Sequence, residues 1–216
     1  MNPIAKRTIS ALTTAALVVL AIIYAPTSWI RPVFAAVIAL VFFEFCLLLK
    51  RKLGGLRLVF GAFVGLVVLC LLGALPAIAE EYGNLMMLYI IAIIKISDMG
   101  GFAAGVSTAK LMKGGNHKMC PAISPNKSWE GLAGSVVASC ILSCCFMPIT
   151  HFVWYKALAF GMTAALVGTF GDLAESKFKR WVGVKDSSTF MPAGMGGLLD
   201  MFDSLLFAPA VLLPFI

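Results

Sequence analysis

An all-α, polytopic integral membrane helix bundle of about seven transmembrane segments, N-terminus inside and C-terminus outside, is expected from three features of this sequence. The chain is 61% hydrophobic and only 12% charged, whereas soluble domains carry about 25% charged residues. Its apolar residues come in runs long enough to cross a bilayer, which takes about 20 residues. Its bases cluster between those runs so that 15 of the 17 fall on one face, as the positive-inside rule requires. The net charge of +7 therefore reflects topology and not a nucleic-acid surface.

The expected segments are 8–25, 30–49, 58–79, 83–97, 131–150, 155–171 and 198–216. The first has too long an apolar part for a signal peptide, and Ala25-Pro26-Thr27 offers no small-x-small site, so it is expected as a retained span. The fourth is short and ends in Lys95, Ser97 and Asp98, which predicts a half-helix or an oblique entry. Gly, Ala and Ser recur in the later segments and permit close helix packing. Lys6 and Arg7 precede the first segment. Lys50, Arg51, Lys52 and Arg57 follow the second. Lys95, Lys110, Lys113, Lys118 and Lys127 lie at or after the end of the fourth, and Lys177, Lys179, Arg180 and Lys185 follow the sixth. With the N-terminus inside, only Arg31 and Lys156 fall outside. Two long polar loops, 98–130 and 172–197, then share the cytoplasmic face. One domain is expected over 1–216, with a block of spans in 1–94 and a catalytic core in 95–216. Of the six cysteines, five lie in apolar runs and read as small hydrophobic filler. His117 and Cys120 are a lone pair and no metal site.

The chemistry concentrates between Gly171 and Ser204, which holds five of the ten acidic residues. Charges kept between two membrane-length runs point to work on a charged substrate at the membrane surface. Asp200 and Asp203, three apart, share a face if helical. Side-by-side carboxylates in a poor dielectric repel, and a divalent cation relieves this; magnesium favours oxygen ligands and keeps substrate phosphates in its shell. The plainer alternative is a pair of helix N-terminal acids held by the macrodipole. Asp172 and Glu175 lie a turn apart. Lys177, Lys179, Arg180 and Lys185 follow, and suit a polyphosphate, although Glu175 and Lys179 also have the spacing of an ordinary helical ion pair. Asp98, before Gly100-Gly101, and the run Ser124-Pro125-Asn126-Lys127-Ser128-Trp129-Glu130-Gly131 could line a phosphate pocket, or be turn and helix-start chemistry. Glu44, the isolated acid within a membrane run, is expected to face the bundle interior, its role open between structural pairing and function. His151 is expected on the opposite, interfacial face with no part in catalysis.

These residues resemble the phosphatidate cytidylyltransferase (CDP-diacylglycerol synthase) family. Its C-terminal signature reads Ser-x-apolar-Lys-Arg, four residues, Lys-Asp, a small-residue turn with Pro, His-Gly-Gly and Asp-Arg-x-Asp. Ser176, Lys179, Arg180, Lys185, Asp186, Ser188, Pro192, Gly196, Gly197, Asp200 and Asp203 match it in order. Gly171-Asp172-Leu173-x-Glu175-Ser176, Ser124-Pro125-x-Lys127-Ser128-x-Glu130-Gly131 and Asp98-x-Gly100-Gly101-Phe102 are also similar. The resemblance covers about 95–204; the first 95 residues are only generically similar. Met195 stands where the family has His, Met201 where it has Arg, and one extra residue follows Pro192. Methionine can neither pair with a phosphate nor shuttle a proton, so the substitutions bear on which lipid is used.

The resemblance implies that CTP and phosphatidic acid, or a related lipid phosphate, give a CDP-lipid and pyrophosphate. It implies Asp172, Asp200 and Asp203 at a Mg²⁺ centre, a second cation being compatible with the family's pattern. Asp98, Ser124, Lys127, Ser128, Glu130, Lys177, Lys179, Arg180 and Lys185 would bind substrate. The implied setting is a bacterial inner or plasma membrane with the site on the cytoplasmic side; no nucleic-acid partner is expected, and a homodimer is compatible. A CTP-dependent polyprenol or phytol kinase, or a cytidylyltransferase for another lipid phosphate, is the near alternative. A cation transporter is the distant one, disfavoured because the acids other than Glu44 gather at one face.

Overall fold

The computed structural model describes residues 19–112, 115–185, 187 and 197–216. Most of the expected first segment, and Lys6, Arg7, Lys113, Asp186, Ser188, Pro192, Met195 and Gly196, lie outside the described residues.

Helix α1 spans Thr27–Lys50. Helix α2, Gly55–Cys70, runs through a 3₁₀ turn, Leu71–Gly73, into α3, Ala74–Tyr82, so Gly55–Tyr82 is one 28-residue apolar unit. Gly83, at φ +88°, ends it in a conformation that favours glycine, and α4, Asn84–Leu111, returns in the opposite direction. Strands β1, Lys118–Cys120, and β2, Ser124–Ser128, form an antiparallel hairpin that leads into α5, Trp129–Cys145. A single turn, α6, Met147–Thr150, precedes α7, Trp154–Val182, which Gly183 closes in the left-handed conformation. Helices α8, Leu198–Phe202, and α9, Ala208–Leu212, end the chain with a 3₁₀ turn, Leu213–Phe215. The described residues thus make an all-α bundle, apart from the small hairpin. Four of its helical units, Thr27–Lys50, Gly55–Tyr82, Asn84–Leu111 and Trp154–Val182, are long and apolar enough to cross a membrane, with Trp129–Cys145 a shorter apolar helix.

Three segments differ from expectation. The fourth is not a half-helix: α4 continues through Asp98 to Leu111. The sixth likewise continues past Gly171 to Val182, so the second polar loop begins eleven residues later than expected. The reason is length. A helix of 29 residues is about 44 Å long at 1.5 Å per residue, against a hydrocarbon core of about 30 Å. Charged residues can therefore stay helical beyond the apolar stretch. The seventh segment, 198–216, is not one helix. Residues 203–207 are turn, and Pro209 and Pro214 begin the next elements, where the missing N–H costs nothing.

Small residues set the spacing of the bundle. A Cβ on Gly100 of α4 would fall 2.4 Å from the Ala138 Cβ, and one on Gly134 of α5 would fall 2.2 Å from the Ala104 Cβ. Only hydrogen fits at these positions, so α4 and α5 pack backbone to backbone. Below this seam the ring of Tyr89 stacks between Phe146 and Phe160, each at 5.3 Å. Its hydroxyl shares a 2.7 Å hydrogen bond with Ser143 Oγ. Ile90, Ile93, Ile94, Leu75 and Ile78, all fully buried, belong to the same core. The outward face is apolar as well: Leu56, Phe60, Phe63, Phe102 and Phe170 are exposed, as expected of helices solvated by lipid.

The bundle has two unlike ends. At one, Arg31 pairs with Glu80, Asn84 Nδ2 donates to the Ile22 and Ala25 carbonyls at 2.8 and 2.9 Å, and Lys156 lies over the Phe152 ring. The other end carries the hairpin, the last turns of α4 and α7, and α8.

Candidate active site

The last turns of α7 have no helix breaker, so Asp172, Glu175 and Lys179 recur at i, i+3 and i+7 and line one face. Helix α8 approaches that face. Gly171 is the point of contact: a Cβ there would lie 2.5 Å from the Asp203 carbonyl oxygen. Carboxylate oxygens of Asp172, Glu175 and Asp203 come within 4.8 Å of one another. Among the described residues this is the sole group of three or more acids, histidines or cysteines so placed. Every donor is a hard oxygen, the set that suits magnesium or calcium and not zinc.

Cations reach this group from three directions. Lys127 Nζ, from β2, is 2.5 Å from Asp172 Oδ2, and Ser176 Oγ donates to Asp172 Oδ1 at 3.3 Å. Lys179 Nζ lies 2.8 Å from Glu175 Oε2, an ion contact without hydrogen-bond alignment, and donates to Asp200 Oδ1 at 2.9 Å. Lys95 Nζ, from α4, lies 3.9 Å from Asp98 and donates to Ser204 Oγ at 3.1 Å and to the Met201 carbonyl at 3.2 Å.

The two aspartates of α8 and its exit turn differ in kind. The Asp200 carboxylate is held at both oxygens, Oδ1 by Lys179. Its Oδ2 accepts the Gly197 and Ser187 N–H groups at 2.9 and 3.2 Å, so Asp200 closes the first turn of α8. Asp203 instead faces the carboxylates of Asp172 and Glu175. Crowded carboxylates of this kind accommodate a cation readily.

Of the residues singled out from sequence, Asp172, Asp203, Lys127 and Lys179 meet at one point, and Asp98 stands beside them. Asp200 is joined to the group through Lys179. Lys177, Arg180 and Lys185 are exposed, and Arg180 donates to the Val184 carbonyl at 3.4 Å, capping its own helix. Ser128 Oγ accepts the Gly131 N–H as the N-cap of α5. Glu130 accepts the His117 N–H at 3.1 Å and lies 2.6 Å from His117 Nδ1. These contacts hold its carboxyl down at about 2 and clamp the hairpin onto α5. Ser124 lies in β2, half-buried. Three members of the constellation were not assigned to it from sequence. Glu175 was legible as a helical ion pair and as part of the family-like stretch Gly171–Ser176, but was given no place at the cation centre, although its spacing from Asp172 repeats that of Asp200 and Asp203. Lys95 counted only toward topology, and Glu44 was left open.

The family model for the cytidylyltransferase family matches residues 3–216. This chain belongs to the cytidylyltransferase family. Within the family it is 40% identical, over 141 residues, to a phosphatidate cytidylyltransferase of Mycobacterium bovis; the match covers 63% of this chain and 42% of that protein. A phosphatidate cytidylyltransferase of Mycobacterium tuberculosis gives the same identity over the same length, with 40% of its own chain covered. One from Staphylococcus aureus is 41% identical over 123 residues, 56% of this chain and 45% of the relative. The matched stretch spans less than half the length of each of these bacterial cytidylyltransferases. The resemblance drawn from the signature residues is thus borne out at the level of the family.

Proposed function

We propose that this chain transfers the cytidylyl group of CTP to phosphatidic acid, giving CDP-diacylglycerol and pyrophosphate. The observation that carries the reading is the oxygen-only group Asp172, Glu175 and Asp203, flanked by Lys127 and Lys179, at one end of an apolar bundle. In this reaction a lipid phosphate oxygen forms a bond to the α-phosphorus of CTP, and the bond from that phosphorus to the β-phosphate bridging oxygen breaks. No covalent enzyme intermediate is needed, so the protein's task is positioning and charge neutralisation. Asp172, Glu175 and Asp203 would hold Mg²⁺, which when bound neutralises phosphate oxygens. Lys127 and Lys179 present ammonium groups to the same space and would take up the remaining phosphate charge. Asp200 fixes Lys179 and the first turn of α8. Lys95 steadies Asp98 and Ser204 on the far side. Lys177, Arg180 and Lys185 supply a basic rim that attracts the nucleotide.

We place this end of the bundle on the cytoplasmic side, with the N-terminus inside, the C-terminus outside and seven segments crossing or entering the membrane. The bases of the Lys50–Lys52 turn, the hairpin and the end of α7 support that orientation. The acyl chains then stay in the bilayer while the phosphate meets cytoplasmic CTP. A second reading rests on Met201, which is half exposed beside the acids where the signature has Arg: a CTP-dependent enzyme for another lipid, including a lipid kinase. Purified protein incubated with radiolabelled CTP, Mg²⁺ and a panel of lipid acceptors separates the two. Pyrophosphate and CDP-diacylglycerol from phosphatidic acid support the proposal. CDP release with a phosphorylated lipid assigns a kinase. No lipid product with any acceptor rejects both.

A further inference from the structure

Glu44 lies in α1, 155 residues from α8 in sequence, and is 1% exposed. An ionisable residue inside an apolar helix is costly, and its placement has a structural consequence at the acid group. Its Oε2 accepts the N–H of Leu199 at 2.9 Å, in the first turn of α8. Its Oε1 would meet any Cβ on Gly197 at 2.5 Å, so the acid lies against the entry to that helix. Helix α8 has five residues, too few to hold themselves helical, because nucleation is unfavourable and short helices are marginal. Its ends are instead gripped by other segments: Glu44 at a first-turn N–H, and Lys95 at the Met201 carbonyl. An acid at the start and a base at the end also match the sense of the helix dipole.

We propose that Glu44 is a positioning residue for the acid group: its carboxylate oxygen sets the seat of α8 and, through it, where Asp203 meets Asp172 and Glu175. The last step rests on the proposed cation-holding role of these acids; the seating of α8 does not. The property that matters is an acceptor oxygen at the length of a glutamate arm. Glu44→Gln keeps that acceptor without the charge. Glu44→Asp keeps the charge but withdraws the oxygen by one methylene, and Glu44→Ala removes both.

The test uses the full chain in lipid nanodiscs and two readouts other than turnover: amide hydrogen exchange over 198–204, and Mn²⁺ affinity by electron paramagnetic resonance. Exchange at Leu199 is expected to quicken about tenfold or more in Glu44→Asp and Glu44→Ala. Mn²⁺ affinity should fall about 10–100-fold in both, the loss usual for removing an outer support of a metal site. Glu44→Gln should stay within about threefold of the unmodified protein in both readouts, and Glu44→Asp serves if Glu44→Ala does not fold. Unchanged exchange in Glu44→Asp and Glu44→Ala, or a Glu44→Gln variant as damaged as Glu44→Ala, overturns the proposal. If the unmodified protein binds no Mn²⁺, the cation reading is lost, and exchange over 198–204 alone decides the role of Glu44.

Discussion

Helices α7 and α8 deliver the acids of one site from opposite structural circumstances. Helix α7 has 29 residues, and its own backbone hydrogen bonds hold Asp172 and Glu175 on one face. Helix α8 has five and is held by side chains from elsewhere: Glu44 of α1, Lys95 of α4 and Lys179 of α7. The long helix is a rigid rail, and the short one is a part seated against it. Half of the site is therefore robust to local change, while the other half depends on contacts distant in sequence. The same division separates the two aspartates near α8. Asp200 is bound into the framework, whereas Asp203 faces the other acids.

The contrast can be broken most severely at the meeting point. Asp172→Asn and Asp203→Asn should each lower CDP-lipid formation by about 10³-fold, since metal stabilisation of developing charge is worth several kcal/mol, while membrane insertion is unaffected. A variant at either position that keeps near-normal turnover at unchanged Mg²⁺ requirement takes that residue out of the cation group. Next comes Lys179, the link between rail and part. Lys179→Met leaves Glu175 and Asp200, whose side chains are only 1% and 18% exposed, without their shared cation, and removing one partner of a buried pair costs about 3–5 kcal/mol. Thermal unfolding in detergent would register it as a fall in Tm, and an unchanged Tm would show that the two acids do not need the lysine.

Gly197→Ala probes the seat itself. The new methyl would meet Ser187 Oγ at 2.0 Å and the Ser187 carbonyl carbon at 2.7 Å, so overpacking of about 1–3 kcal/mol is expected. The matched change Gly183→Ala, in open space beyond α7, is penalised only by its positive φ. Exchange over 198–204 should quicken in Gly197→Ala and not in Gly183→Ala; equal effects would mean that α8 is not tightly seated. The smallest effect is expected at the hairpin. The Glu130 carboxyl sits below its ordinary 4.5, at about 2, because of His117. A depressed carboxyl contributes its hold fully above the ordinary value and loses it as pH falls through the lower one. Protection of the His117 amide should therefore persist at pH 5 and disappear between about 4.5 and 2, and Glu130→Gln should remove that pH dependence.

Much of this was legible in the amino-acid order. Hydrophobic run lengths and spaced clusters of bases announce a membrane bundle, because a bilayer tolerates few other solutions for an unbroken apolar backbone. The ordered signature around Asp172, Lys179, Asp200 and Asp203 announces the family. The extension of α4 to Leu111 and of α7 to Val182 was less legible, because hydropathy marks where apolar residues stop and not where a helix does. Glu175 was already legible a turn from Asp172, but its spacing from Lys179 fitted an ordinary ion pair equally well, and only the approach of Asp203 separates the two readings.

By itself, then, the order of residues determined the membrane class, the family and the set of acids and bases near the site. These depend on composition and on short-range spacing, and both are local. Which acids face one another was decided by the tertiary structure. Asp203 reaches Asp172 only because Gly171 lets α8 come close, and Asp200 turns toward Lys179 only because Glu44 and Gly197 seat the short helix that carries it. Contacts between segments from 21 to 155 residues apart leave no spacing to read, and a five-residue helix has no stable geometry until they form.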